Sequence, residues 1–300
     1  MNSFPPHVTL TEVGLRDGFQ NESKPIPTSM KLDILARLID AGIEHIQVTS
    51  FVSPRLVPQM ADARELCLAL PGLNSQRTVF SGLALNVKGV ENAFDCGLEH
   101  VDISISADPV HSQKNTGMSL DDARKTMQQM IKRAHELNLH VHAGIQCAFG
   151  SAFNEIIPES RILDMTCEIL DKQVDSFGLF DTTGMAMPSQ IKNLAHKILP
   201  IIHSKPFFLH LHDTYGLGAV NLLTALSCGI SRFDTAFGGL GGCPFIPDAS
   251  GNLCTEDIVF LLDDLDIQTG IDIHPIHFCS KTIADYLEKT LPIKRYQKKL

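Results

Sequence analysis

The chain is organised around the stretch Phe207-Phe208-Leu209-His210-Leu211-His212-Asp213-Thr214-Tyr215-Gly216. This stretch begins as an apolar run, which predicts a β-strand. Side chains alternate across a strand, so His210 and His212 lie on one face while Leu209 and Leu211 lie on the other. Two imidazoles on one face at a strand end can form half of a metal site. Hydrogen-bonded core or surface histidines are the alternative interpretation of the same spacing.

Apolar runs alternate with amphipathic helical patterns on both sides of this stretch. The predicted strands lie at residues 7–13, 44–49, 78–85, 99–106, 138–147, 174–180, 206–212 and 231–237. The predicted helices lie at residues 27–41, 54–70, 87–96, 119–137, 158–172, 188–199, 218–228 and 252–265. Eight successive β-α units predict one α/β domain, a (β/α)8 TIM barrel over about residues 7–265, followed by a C-terminal helical segment over about residues 266–300. An open doubly wound sheet is the alternative, but no G-x-G-x-x-G follows the first strand.

The composition is that of an ordinary globular protein, with 300 residues, 44% hydrophobic and 20% charged, which is enough for a large core. The net charge of −9 and the scattered basic residues argue against a nucleic-acid or anionic-membrane partner. None of the eight cysteines forms a C-x-x-C pair, which favours a reducing compartment without disulfides. The sequence shows no signal peptide and no membrane-length apolar run, so a cytoplasmic location is expected.

Polar residues follow several of the predicted strands, where the active site of a (β/α)8 barrel lies. These candidates are Arg16, Asp17 and Gln20 after strand one, Gln47 in strand two, Asp181 and Thr182 after strand six, and Cys243 and Asn252 after strand eight. Asp17, His210 and His212 would offer one oxygen and two nitrogens, a mixture that suits a borderline or hard divalent ion with open positions for water or substrate. Asn252 could add a neutral carbonyl oxygen.

Each of these candidates also has a simpler interpretation. Asp17 precedes a glycine and could be a turn residue. Arg16 could hold a carboxylate or a developing enolate oxygen, or it could be an ion-paired surface arginine. Cys243 lies in a glycine-rich loop and could transfer a proton, or it could be a buried small hydrophobe. The loop lacks the Lys-Ser/Thr of a P-loop, so the signal for phosphate binding is weak.

Five segments together resemble the 3-hydroxy-3-methylglutaryl-CoA lyase family of metal-dependent lyase, aldolase and synthase barrels. They are VGLRDGFQNE at 13–22, TSFVSP at 49–54, VPQM at 57–60, HLHDTYG at 210–216 and GGLGGCP at 238–244. The motifs run in the family's order over about residues 8–265. The cysteine-bearing glycine loop and the Thr-Ser-Phe-Val segment are specific to the lyases when they occur together.

The resemblance implies a barrel that is usually a homodimer, uses Mg²⁺ or Mn²⁺, and cleaves an acyl-CoA substrate to acetyl-CoA and a keto acid such as acetoacetate. This reaction belongs to leucine degradation and ketone-body formation. By position, the resemblance implies the metal ligands Asp17, His210, His212 and Asn252. It assigns enolate stabilisation to Arg16, proton transfer to Cys243, a place near the substrate hydroxyl to Asp181, and an acid-base role to His210. Arg16, Gln20, Gln47 and Thr182 are the candidate substrate-binding residues.

The chain departs from the family pattern at the expected barrel mouth. Gln47 stands where a glutamate is usual, Gly178 and Phe180 stand where serine and glycine are common, and Phe19 replaces a leucine. A related 3-hydroxyacyl-CoA is therefore a second possible substrate. Two alternatives remain open: an aldolase or acyl-CoA-dependent synthase of the same superfamily, and a silent barrel that only binds acyl-CoA or a partner protein. A requirement for a CoA thioester, the direction of turnover and sensitivity to a chelator would distinguish them.

Overall fold

Eight parallel strands close into a barrel in the order of the chain. The structure is a computed structural model that describes residues 4–73, 77–242 and 251–294. The first and last strands close the barrel in a register that runs from Thr9 opposite Arg232 to Glu12 opposite Thr235. The strands are β1 (Thr9–Glu12), β2 (His45–Ser50), β3 (Val79–Ala84), β4 (His100–Ser106), β5 (His140–Gln146), β6 (Ser176–Phe180), β7 (Phe207–His210) and β8 (Arg232–Thr235). The predicted TIM barrel is confirmed.

Ten α-helices lie within the described ranges. They are α1 (Thr28–Asp40), α2 (Ala63–Ala69), α3 (Val87–Asp95), α4 (Pro109–Thr116), α5 (Leu120–Glu136), α6 (Glu159–Leu170), α7 (Pro188–Ile198), α8 (Gly218–Ser227), α9 (Thr255–Asp264) and α10 (Ile273–Leu287). The last of them falls within the predicted C-terminal helical segment and packs against α1 and α9. No helix in the described part of the chain is long and apolar enough to cross a membrane.

Helix α4 was not predicted, although the sequence carries its start and stop signals. Asp108 accepts hydrogen bonds from the backbone N–H groups of Val110 (2.8 Å) and His111 (3.0 Å), and Pro109 occupies the first helical position. Gly117 ends the helix in the left-handed conformation. The insertion of α4 between β4 and α5 adds a wall to the carboxyl end of the barrel.

Among the predicted boundaries that were wrong, three have a physical reason in the structure. Strand β7 ends at His210, because His212 forms an isolated antiparallel bridge with Asn252. This bridge also holds Asn252 out of a helix, so α9 begins only at Thr255. The predicted helix at 54–70 is a 3₁₀ turn at Pro58–Met60 followed by α2, since a proline cannot donate the hydrogen bond of a helix interior.

The interior of the barrel is unusually polar in its lower half, the end at which the strands begin. Along β4, Val101 and Ile103 are buried, whereas Asp102 lies on the other face and lines a cavity of about 210 Å³ inside the barrel. His45, His142 and Arg232 from other strands line the same cavity. Most barrels of this fold fill these positions with Val, Ile and Leu. A polar chamber therefore lies below the carboxyl ends of the strands.

Phenylalanine rings form part of the upper wall of this chamber. The ring of Phe180 lies over Gly144, where an added Cβ would come within 2.5 Å of it. The ring of Phe208 lies over Gly178 in the same way, also at 2.5 Å. Both rings line the chamber, and Phe180 also lines the large cleft above it. The two glycines are therefore required because each leaves the space that a ring from a neighbouring strand fills.

Candidate metal centre and active site

Three side chains converge at the carboxyl end of the barrel. Asp17 follows β1, His210 ends β7, and His212 lies two residues further on. The Nε2 atoms of His210 and His212 are 2.9 Å apart, and they lie 3.9 Å and 3.7 Å from Asp17 Oδ2. All three residues are buried, and within the described ranges no other group of three His, Cys, Asp or Glu side chains brings its donor atoms within 4.8 Å of one another.

The turn after β1 aims Asp17 at the two histidines. Residues Gly14–Gly18 form a single π-helical turn in which the carbonyl of Val13 accepts the N–H groups of Arg16, Asp17 and Gly18. Gly14 is required here, because an added Cβ would lie 2.5 Å from the ring of Phe237. Asp17 is therefore a turn residue, as its position before a glycine allowed. The same turn presents the Asp17 carboxylate to the two histidines.

Asn252 contacts the cluster through the nitrogen of its side-chain amide, and its place as a metal ligand remains a prediction. Its Nδ2 donates to Asp17 Oδ2 at 2.7 Å and to the carbonyl of Leu240 at 2.9 Å. Its Oδ1 is buried and has no hydrogen-bond partner among the described residues. A buried carbonyl oxygen without a partner is costly, and a bound cation would satisfy it. One carboxylate oxygen, two imidazole nitrogens and one amide oxygen therefore fit a divalent metal ion.

The charge state of Asp17 suits a metal ligand. Burial by itself would raise the pKa of this carboxyl, but the Arg16 guanidinium and the two histidines outweigh burial and hold the pKa well below its usual range. Asp17 is therefore ionised at neutral pH. Its Oδ1 accepts hydrogen bonds from Arg16 Nη1 and from Gln20 Nε2, the latter at 2.8 Å, while Oδ2 faces the histidines.

Buried aspartates lie behind both histidines. Asp234 Oδ2 is 3.1 Å from His210 Nδ1, which fixes the imidazole so that Nε2 faces the site. His212 Nδ1 has no hydrogen-bond partner in the described part of the chain, and the nearby Asp181 carboxylate interacts with His212 electrostatically. Sequence reasoning missed Asp234. The alternation along Arg232-Phe233-Asp234-Thr235 would have placed it on the inner face of β8.

Arg16 is held by Gln47 from below and by Asp17 from the side. Arg16 Nε donates to Gln47 Oε1, and Nη1 donates to Asp17 Oδ1. Arg16 lines both the large cleft and the chamber below it, whereas Gln47 lines only the chamber. The predicted contact of Gln47 with substrate therefore remains a prediction. In this structure Gln47 positions the guanidinium.

Asp181 does not line the cleft, although its neighbours Phe180 and Thr182 do. Its side chain is fully buried, and Oδ1 accepts the N–H of Ala186 at 3.1 Å. Burial raises the pKa of this carboxyl to about 6 despite the opposing effect of His212 and the backbone N–H groups. Asp181 therefore orders the loop after β6 beside His212, and its role near the substrate hydroxyl remains a prediction.

A buried glutamate that sequence reasoning missed ties together the segments that carry the site. Glu12 is fully buried and accepts hydrogen bonds from the N–H groups of Gly14 (2.7 Å) and Phe237 (3.0 Å) and from the hydroxyl of Thr255 (2.7 Å). Burial raises the pKa of its carboxyl to about 8, although these hydrogen bonds oppose the shift. The only sequence signal was a carboxylate within an apolar strand.

The cleft above the cluster has a volume of about 890 Å³. Its walls include Gln20 and Thr182, whose contact with substrate remains a prediction, together with Lys114 and Asn115 from α4. Cys243 lies outside the described residues, so its predicted place stays a prediction. Gly242, which precedes it in the chain, lines the cleft and accepts a hydrogen bond from Asn21 Nδ2 at 2.7 Å.

Comparison with known proteins gives a consistent result over nearly the whole chain. A family model described as HMGL-like matches residues 7–283. The hydroxymethylglutaryl-CoA lyase YngG of Bacillus subtilis is 33% identical over 295 residues, covering 98% of this chain and 98% of that protein. The mitochondrial hydroxymethylglutaryl-CoA lyase of Homo sapiens is 34% identical over 292 residues, covering 96% of this chain and 88% of that protein.

The solved structures agree with the sequences. An HMG-CoA lyase from Acinetobacter baumannii, in complex with coenzyme A and 3-methylmalate, superposes with a TM-score of 0.92 at 32% sequence identity. The match covers all of this chain and 97% of that one. The similarity therefore includes the strands, the site-bearing loops and the C-terminal helix.

Proposed function

The chain belongs to the HMGL-like family, and we propose that it is a metal-dependent carbon-carbon lyase that cleaves 3-hydroxy-3-methylglutaryl-CoA to acetyl-CoA and acetoacetate. The observation that carries this proposal is the cluster of Asp17, His210 and His212, whose donor atoms lie within 4.8 Å of one another beside Arg16. A cleft of about 890 Å³ opens above this cluster and offers room for an acyl thioester.

We assign the metal site to Asp17, His210, His212 and Asn252, with Mg²⁺ or Mn²⁺ as the ion. The mixed oxygen and nitrogen donors support this assignment, as does the unpaired Oδ1 of Asn252. A divalent ion bound there supplies positive charge that lowers the pKa of the substrate's tertiary hydroxyl. The remaining chemistry falls to the side chains of the protein.

The proposed reaction is a retro-Claisen cleavage. A base removes the hydroxyl proton, the C–O bond becomes a ketone, and the electron pair of the breaking C–C bond passes to the thioester enolate. The resemblance gives this role to His210, but with Nε2 assigned to the metal and Nδ1 facing Asp234, that ring has no free lone pair. Asp181, buried beside His212, is therefore the base we propose, acting through water. A proton then adds to the enolate carbon, a role we propose for Cys243.

Arg16 is the group we propose to meet the negative charge on the enolate oxygen. Gln47 and Asp17 fix two of its N–H groups, which holds the plane of the guanidinium against the cleft wall. A charged donor held in place before the reaction stabilises a developing oxyanion without reorganisation. The same contacts keep Arg16 beside the metal ligands, so that the thioester oxygen and the tertiary hydroxyl of the substrate would both meet the protein there.

The test is product formation by the purified protein. With 3-hydroxy-3-methylglutaryl-CoA and Mg²⁺ or Mn²⁺, we expect acetyl-CoA and acetoacetate in equal amounts, and no cleavage after treatment with a chelator. A folded, metal-loaded protein that does not cleave this thioester would overturn the proposed substrate. Condensation of keto acids without a CoA thioester would indicate an aldolase, and binding of acyl-CoA without turnover would indicate a silent barrel.

A related 3-hydroxyacyl-CoA is the second candidate substrate, and the position of Phe180 favours testing it. The ring of Phe180 lines the cleft with its centroid 5.2 Å from that of His210. It therefore limits the space for a substituent near the reacting carbon. Gln47→Glu provides the second comparison. A gain in cleavage of 3-hydroxy-3-methylglutaryl-CoA would support a change of substrate preference caused by Gln47. No change in cleavage would exclude Gln47 as the cause of such a change.

We also propose a homodimeric, cytoplasmic enzyme. Three exposed apolar side chains, Met187, Tyr215 and Val220, lie at or near the starts of the neighbouring helices α7 and α8 and fit a protein contact. None of the seven cysteines in the described part of the chain forms a disulfide, which fits a reducing compartment. Light scattering of the purified protein at micromolar concentration distinguishes a dimer from a monomer.

A further inference from the structure

A second group of histidines lies at the opposite end of the barrel from the active site. His45, His100 and His142 come from the starts of β2, β4 and β5. The Nδ1 atom of His100 is 3.0 Å from Nε2 of His142, and the two rings are nearly parallel at 8°. The ring centroid of His45 is 4.9 Å from that of His142. These histidines therefore form one cluster built from three strands.

A carboxylate with an unpaired oxygen belongs to the same cluster. Asp102 lies two residues after His100 on β4 and directly opposite His142 on β5. Its Oδ2 is buried and has no hydrogen-bond partner within the described ranges. The charge of Asp102 acts on all three histidines. A buried carboxylate oxygen without a donor is costly, so its presence among imidazoles points to a cation.

The histidines are in the form that binds a metal. Burial, reinforced by His142, lowers the pKa of His45 to about 4 and the pKa of His100 to about 4. Burial also lowers the pKa of His142. All three rings are therefore neutral at pH 7, and each has a nitrogen lone pair to offer. Nδ1 of His142 lies 2.7 Å from the hydroxyl of Ser176, and this contact leaves Nε2 facing His100.

We propose that the lower end of the barrel is a second metal site, in which His100, His142 and Asp102 bind a nitrogen-preferring divalent ion such as Zn²⁺ or Co²⁺. His45 is the candidate fourth ligand. With His45 as a third imidazole, this site offers three nitrogens and one oxygen, whereas the proposed catalytic centre offers two nitrogens and two oxygens. The additional nitrogen favours Zn²⁺ or Co²⁺ over Mg²⁺, which prefers oxygen ligands. The separation of 3.0 Å between the nitrogens of His100 and His142 matches the 2.9 Å between those of His210 and His212 at the catalytic centre.

The geometry also indicates that this site is the weaker of the two. Within the described ranges, only the catalytic group has three donor atoms within 4.8 Å of one another. At the lower site, the carboxylate of Asp102 or the ring of His45 must turn toward the ion as it binds. The cavity of about 210 Å³ that Asp102, His45 and His142 line gives these side chains room to do so.

The test is the number of Co²⁺ ions bound per chain, measured by equilibrium dialysis with metal analysis and by visible absorption of the bound ion. The unmodified protein should bind two ions, a strong one and a weaker one. Asp17→Asn disables the catalytic centre and should leave only the weaker ion. His142→Asn should remove the weaker ion and keep the strong one. His196→Asn changes an exposed histidine on α7 and serves as the matched control, which should still bind two ions.

Asp102→Asn provides an independent variant, because it removes the charge with almost no change in volume and should also abolish the weaker ion. Circular dichroism establishes that each variant is folded. In the Asp17→Asn protein, Zn²⁺ should raise the melting temperature, and it should not do so once His142→Asn is added. Equal Co²⁺ binding by the unmodified protein and both lower-site variants would overturn the proposal. In that case, the histidines form only a hydrogen-bonded network.

Discussion

Replacement of Arg16 by lysine keeps the positive charge but removes the planar group with several donors. In the structure, Nε of Arg16 binds Gln47 and Nη1 binds Asp17, while the guanidinium lines the cleft. A lysine ammonium is one point of charge and cannot reach Gln47, Asp17 and a substrate oxygen together. Loss of one preorganised oxyanion donor costs about 3–4 kcal/mol in the transition state, or about 10²–10³-fold in kcat.

The assay is steady-state cleavage of 3-hydroxy-3-methylglutaryl-CoA at saturating Mg²⁺, together with a metal titration. We expect Arg16→Lys to lower kcat by about 10²–10³-fold with little change in KM, because the lost interaction forms mainly in the transition state. The metal affinity should change little, since a positive charge still lies beside Asp17. Arg64→Lys is the matched control, because it makes the same exchange at an exposed arginine on α2 that does not line the cleft. Near-normal kcat in Arg16→Lys would refute the role given to Arg16.

Three further changes test other parts of the site. Asn252→Ala removes the unpaired Oδ1 and should weaken Mn²⁺ binding by about 10–100-fold, with activity recovered at high Mn²⁺. Glu12 has a raised pKa of about 8 against an ordinary value of 4.5, so its contribution to stability is present below pH 4.5 and is lost as the pH rises through 8. Urea unfolding should therefore show that the free energy of unfolding of the unmodified protein falls by up to about 5 kcal/mol relative to that of Glu12→Gln between pH 4 and pH 9. The same pH dependence of stability in both proteins would contradict the raised pKa of Glu12. Gly144→Ala places a Cβ 2.5 Å from Phe180 and should cost about 1–3 kcal/mol in the free energy of unfolding, with partial recovery when Phe180→Leu is added.

The periodicity of the sequence was sufficient for the barrel but not for the ends of its elements. Alternation of apolar strands and amphipathic helices depends on local spacing, and the sequence carries that directly. The end of β7 and the start of α9 depend on the bridge between His212 and Asn252, which are far apart in the chain. Helix α4 was missed because its sequence, PVHSQKNT, has no apolar stripe. Its only signals were the pairing of Asp108 with Pro109 at the start and Gly117 at the end.

The candidate metal ligands could be predicted because they stand at the carboxyl ends of strands, where the active sites of (β/α)8 barrels lie. Asp17, His210 and His212 were predicted by position and meet in the structure. Asp234 and Glu12 were missed. Strand alternation gives the face of β8 on which Asp234 lies, but it does not show which side chain an inward-facing acid contacts. That information lies in contacts with other strands and loops, such as the 3.1 Å approach of Asp234 to His210.

The contacts of Arg16 with Gln47 and Asp17 also required the structure. The sequence places Arg16 beside Asp17 and shows that Gln47 lies near a strand end. It does not show that Gln47 lies below the guanidinium and accepts its Nε hydrogen bond. The function of Gln47 as a positioning group is therefore a result of the packing between β1 and β2.

The most direct test of the proposed catalytic centre is to compare Mn²⁺ binding with Mn²⁺ activation in the same protein. Electron paramagnetic resonance gives the Kd and the number of bound ions, and the cleavage rate gives the Mn²⁺ concentration for half-maximal activity. We predict that the two concentrations coincide at one ion per chain, and that Asp17→Asn loses both binding and cleavage. Cleavage by metal-free protein, or full cleavage by Asp17→Asn without bound Mn²⁺, would contradict a lyase that works through this centre.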